Sequence, residues 1–138
     1  MPQRTQVESQ QQLVRLLDTN VLLRYLVGDD PPKSARATAL MQRVERAQEI
    51  VEVSESVLTE TVWASRNEIG QKLTTVLSLP GLRVGGRAIL LLALHNFANS
   101  GADFVDCILA AESRLRKLRV YTFDETDFKK LRVDWESP

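Results

Sequence analysis

The sequence predicts an α/β domain: a parallel sheet of about five strands wrapped on both faces by helices. Two observations predict it. Short apolar runs alternate with longer segments of helical periodicity along nearly the whole chain, and the runs end at Asp, Gly or Pro. The chain also has 138 residues, 43% of them hydrophobic and 26% charged, which makes one domain able to bury a core without staples. In such sheets ligands bind beyond the carboxyl ends of the strands, so residues just after strands are read first.

Residues 1–13, polar and rich in Gln, read as a disordered tail, with the domain at 14–138. Val14–Leu17 (VRLL) suits a buried strand and is closed by Asp18. Val21–Val27 reads as a short apolar helix, broken by Gly28-Asp29-Asp30-Pro31-Pro32. Asp30 can cap a second helix with proline in its first turn, running to about Arg46, with Ala35, Leu40, Val44 and Ala47 inward. Ile50–Val53 alternates as a strand. Ser54 can cap a helix through Val57–Arg66, with Val57, Thr61 and Ala64 on one face. Gln71–Leu79 predicts another helix, stopped by Pro80-Gly81. Leu82–Val84 is a weak strand before the turn Gly85-Gly86. Ala88–Ala98 is an apolar helix. Asp103–Lys117 is amphipathic, with Phe104, Ile108, Ala111 and Leu115 at four-residue spacing and cations in its last turn. Val120–Phe123 reads as a strand ended by Asp124, and a short helix (126–131) and a strand near Arg132-Val133 close the chain.

Composition narrows the chemistry. The single Cys107 excludes an internal disulfide, a Cys-based zinc site and a CxxC redox pair, and points to a reducing cytoplasm. No apolar run spans a bilayer, and the N-terminus lacks the apolar stretch of a secretory signal. Lys and Arg total 18, as do Asp and Glu, so phosphate contacts must come from local clusters or a bound metal. With His95 the only histidine, catalysis has to lean on carboxylates.

Asp18 and Asp124 each close a strand. If those strands are neighbours, both carboxylates lie on one rim and repel unless a divalent cation neutralises them. Glu60 and Asp106 can reach the same rim from helices, with Asp103 three residues before Asp106. Such an all-oxygen set suits Mg2+ or Mn2+ rather than zinc, and the implied reaction is hydrolysis of a phosphodiester. Plainer readings stand beside this one. Asp18 can be a helix cap, Asp103 is better read as one, Asp124 and Asp127 can be turn formers, and Glu60 can be a solvated helix residue.

Four segments occur in the order found in a known family: LLDTNVLLRYLVGDD (16–30), VSESVLTETVW (53–63), GADFVDCILAA (101–111) and VYTFDETDFKKL (120–131). The chain resembles PIN-domain ribonucleases, more narrowly the VapC-type toxins of bacterial toxin–antitoxin pairs. The resemblance implies a three-layer α/β/α sandwich and a Mg2+- or Mn2+-dependent endoribonuclease. It places the family's acidic residues on Asp18, Glu60, Asp106 and Asp124, with Asp18, Asp106 and Asp124 as direct metal ligands. Thr19 or Asn20 matches the residue supporting the first Asp, and Asp103 and Asp127 are candidates for an outer ring. It also implies an RNA substrate, a homodimer and an antitoxin partner. The polar extension and residues 71–86 depart from the pattern.

Arg24 and Arg66, with Lys72 behind them, are the basic residues nearest the proposed rim and candidate RNA contacts; a solvated charged face is the plainer reading. Trp63 reads as core, His95 as a packed residue and Cys107 as a small buried hydrophobe. A catalytically inactive PIN-like binding module is the rival function. A phosphoacceptor receiver domain fits less well, because Thr19-Asn20 follows Asp18 and Gly85-Gly86 follows the third strand.

Overall fold

The computed structural model describes residues 13–65 and 70–138. Residues 1–12 of the polar tail expected at 1–13, and Arg66, lie outside the described residues. Strand β1 (Val14–Leu16) leads into helices α1 (Thr19–Val27) and α2 (Pro31–Glu45), then β2 (Ile50–Val53) into α3 (Glu55–Ser65) and α4 (Gly70–Leu77). After β3 (Leu82–Val84) come α5 (Arg87–Ser100), α6 (Phe104–Arg116), β4 (Val120–Tyr121), α7 (Glu125–Leu131) and β5 (Trp135–Glu136).

Local chemistry sets most boundaries. The Asp30 carboxylate accepts from the Lys33 amide at 3.2 Å and Pro31 opens α2, so that helix begins where its free amides find a partner. Ser54 Oγ accepts from the Val57 amide at 3.2 Å at the head of α3. Gly28 ends α1 in the left-handed region (φ 70°), its N–H donating to the Arg24 carbonyl.

The sheet is smaller than the sequence predicts. β1, β2 and β3 form one parallel sheet in that order, with Val14 opposite Ile50 and Val51 opposite Leu82. β4 and β5 form a separate parallel pair rather than joining it, so a continuous five-stranded sheet is not what the chain builds. β4 is also shorter than expected, and a turn at Thr122 follows it. The Thr122 hydroxyl accepts from the Asp124 amide at 2.9 Å and donates to the Asp124 carbonyl at 3.3 Å, curling the chain out of extended geometry after Tyr121. The last strand also begins later than expected, because Arg132 is left-handed (φ 55°) and caps α7. With β2 as its only partner among the described residues, β1 lies at the edge of this sheet: Leu16 is 81% exposed, against the expectation of a buried strand, and Leu17 is the first residue to enter the core.

Burial also corrects the helix faces. α2 buries Ala37, Met41 and Val44, leaving Ala35 and Ala47 exposed. α3 turns Leu58, Thr61 and Val62 inward, so Ala64 is exposed and Trp63 stands 79% exposed instead of joining the core. Leu115 is half exposed at the end of α6, whereas Phe104, Ile108 and Ala111 are buried as expected. Cys107 is fully buried, and burial pushes its thiol up to about 11, leaving it inert.

Packing runs in a series that matters below. α1 packs on α2 and α3, α3 meets α6, and α6 lies against α5 and α7. Gly81 locks the turn into β3. Its N–H donates to the Val44 carbonyl and its carbonyl accepts from the Val51 amide, both at 2.9 Å. A Cβ there would stand 2.2 Å from the Glu49 carbonyl oxygen and 2.7 Å from that of Val44. Backbone must move to admit it, so Gly81→Ala should destabilise the domain by about 2–3 kcal/mol. A thermal melt should show the midpoint falling by roughly 10 °C, and a shift under about 2 °C would mean the turn yields freely.

Candidate active site

Asp106 lies in the first turn of α6, half-buried. Asp124 is the N-cap of α7, and Asp127 sits in that helix's first turn. The packing of α6 on α7 brings these three together: each offers a carboxylate oxygen, and those oxygens lie within 4.8 Å of one another. Asp124 also caps its helix, accepting from the Thr126 amide at 3.1 Å, so the cap and cluster roles coexist in one carboxylate. Asp127 Oδ2 accepts from the Asp103 amide at 3.3 Å, tying the heads of α6 and α7.

Electrostatics mark Asp106 as the residue under most pressure. Burial, a hydrogen bond with Asp127, and the charges of Asp127, Asp103 and Asp124 push its carboxyl up from 3.8 to about 6. Among the described residues, none of these carboxylates forms an ion pair. Asp103, read from sequence as a cap, occupies the N-cap position of α6 but makes no side-chain cap hydrogen bond.

The other half of the expected set is on α1 and α3. Asp18 follows β1 and stands at the N-cap of α1 without a side-chain cap hydrogen bond, so its exposed carboxylate is not used by the helix. Buried Thr19 donates through Oγ1 to Glu60 Oε2 at 3.2 Å, fastening α1 to α3. The resemblance matches Thr19 to the residue supporting the first Asp; here the hydroxyl holds Glu60. Asp18 and Glu60 are not members of the close group formed by Asp106, Asp124 and Asp127. They stand on elements that pack in series with it, α1 on α3, α3 on α6 and α6 on α7.

Asp127, placed from sequence in the outer ring, is therefore as close to the cluster's centre as its partners. Its position three residues after Asp124 is the signal that could have found it. Asn20 is exposed. Arg24 binds Asp29 through Nη1 at 2.6 Å, and Lys72 Nζ donates to the Leu26 carbonyl at 3.3 Å. Trp63 borders a shallow hollow of about 390 Å3 with Glu60. His95 is exposed on α5 with Asn99 beside it, apart from the acidic group.

The family pattern of the PIN domain matches residues 15–133. The chain belongs to the PIN domain family. No curated protein matches it. The PIN domain is an α/β fold of nuclease type; such domains are typically metal-dependent nucleases, generally use a divalent cation, and imply RNA binding. In this PIN domain the donor set suits that chemistry, being three carboxylates and no nitrogen or sulfur. Among the described residues, no helix is long and apolar enough to cross a membrane.

Proposed function

We propose that the chain is a Mg2+- or Mn2+-dependent endoribonuclease acting as the toxin of a toxin–antitoxin pair. The observation that carries the reading is the group Asp106, Asp124 and Asp127 inside a PIN domain, with Asp18 and the Thr19–Glu60 pair on the helices packed in series with it. Asp106, Asp124 and Asp127 would hold the cation, and Asp18 would face the same centre. A divalent cation bound there supplies neutralisation of the acidic group and of the phosphate, and lowers the cost of ionising water. Asp106 would hold the cation in its ionised form, in which the positive charge would offset the crowding by Asp127, Asp103 and Asp124. Glu60, held by Thr19, orients the attacking water toward phosphorus. No side-chain nucleophile takes part.

The toxin role is supported by the resemblance of residues 16–30, 53–63, 101–111 and 120–131, and implies a cognate antitoxin and a homodimer. Purified chain should cut RNA with Mg2+ or Mn2+, fall silent with EDTA and recover when the cation is returned. Its expression should halt growth of a bacterial host unless a small neighbouring gene is co-expressed. Cleavage that persists in EDTA would overturn the metal dependence, and its absence with both cations would overturn the nuclease reading and favour a non-catalytic module.

A further inference from the structure

We propose that the cleft between α1 and α2 is a phosphate-binding track for single-stranded RNA flanking the cleaved bond; its direction rests on the nuclease reading, its existence does not. The cleft has a volume of about 650 Å3, and its lining includes Asn20, Arg24, Lys33, Arg36, Leu40 and Arg43. Four cations line it and no carboxylate does, although the whole chain balances 18 basic against 18 acidic residues. Two of the cations are held in place by partners outside the lining, Arg24 by Asp29 at 2.6 Å and Arg43 by Glu49 at 2.9 Å. Lys33 and Arg36 form no ion pair among the described residues.

Spacing fits a chain of charges rather than one. Lys33, Arg36, Leu40 and Arg43 recur along one face of α2, and the rise of the helix spreads Lys33 to Arg43 over about 15 Å. Half-buried Leu40 gives the cleft an apolar wall against which a ribose or base can lie. Continuity sets the direction. Asn20 follows Thr19, whose hydroxyl holds Glu60, and Arg24 is one turn further along α1. A strand leaving the carboxylates along α1 thus passes from a region that repels phosphate to one that attracts it. A second basic hollow, at the end of α6, includes Asp134 in its lining, and its Arg119 is engaged by Asp134 and Glu136. That makes it a natural control.

The test is fluorescence anisotropy with a fluorescein-labelled dodecameric oligouridylate, using the full chain in EDTA across a salt series. Lys33→Gln with Arg36→Gln should weaken binding about 10-fold at low salt. The same pair should reduce the slope of log affinity against log salt by about 1.4, two phosphates at about 0.7 each. Lys33→Arg with Arg36→Lys should restore binding, which separates charge from folding. Arg114→Gln with Lys117→Gln, both lining that second hollow, should stay within twofold of the parent. Equal loss in both Gln pairs, or no loss in the first, would overturn the track. Because binding is read without a divalent cation, RNA affinity that follows these expectations in a chain that never cuts would count against the nuclease reading alone.

Discussion

Asp106→Asn should lower divalent-dependent RNA cleavage at least about 100-fold while leaving the metal-free protein as stable as the parent, or more stable, at pH 7.5. The two effects share one cause. In the folded chain Asp106 keeps its proton up to about pH 6, against 3.8 for the ordinary group. Between those values the folded state binds more protons than the unfolded state, so the stability of the metal-free protein falls as pH rises through 3.8 to about 6, then levels off. Asparagine carries no charge at any of these values, so the fall should shrink in the variant. Mg2+ should raise the parent's thermal midpoint at pH 7.5 more than at pH 5, since at the lower pH the cation competes with the proton on Asp106. In Asp106→Asn that difference should largely vanish. Cleavage within a few-fold of the parent, or a metal-free midpoint several degrees below it, would reduce Asp106 to a structural residue.

Features decided within a few residues were legible in the sequence. Asp30 and Ser54 cap helices whose amides lie three positions away, and Gly28 stops a helix by adopting a conformation that costs it little. Faces decided by distant packing were not. Trp63 looks like core by composition, yet Leu58, Thr61 and Val62 supply the inward face of α3 and leave the indole outside. Strand length and sheet membership were not legible either: VYTF has strand composition, but a Thr122–Asp124 turn follows after two residues, and β4 pairs with β5 rather than with the other three strands. Within the acidic set, strand-end placement singled out Asp18 and Asp124. Grouping Asp127 with Asp106 required the contact between α6 and α7, whose two carboxylates are far apart in sequence. The basic cleft was missed because Lys33, Arg36 and Arg43 look like the solvated face of α2 until α1 closes the other side.

The separation of Asp18 from the tight group makes its substitution the more discriminating one. Asp18→Asn should also cost at least about 100-fold in cleavage, yet retain much of the thermal shift produced by Mg2+, because Asp106, Asp124 and Asp127 are the carboxylates already within ligand distance of one another. Stability should not suffer. Asp18 makes no side-chain cap hydrogen bond, and asparagine is as good an N-cap as aspartate, so α1 loses nothing by the exchange. Asp106→Asn should lose both cleavage and the metal-induced shift, so the two variants divide the site into a part that chiefly holds the cation and a part that positions what reacts beside it. Glu60→Gln should resemble Asp18→Asn. Thr19→Val should resemble it in weaker form, since it removes the 3.2 Å hydrogen bond to Glu60 and spares the carboxylate. Should Asp18→Asn cleave as well as the parent, Asp18 would have no part in the chemistry, and Glu60→Gln and Thr19→Val would decide whether α1 and α3 contribute beside the three carboxylates of α6 and α7.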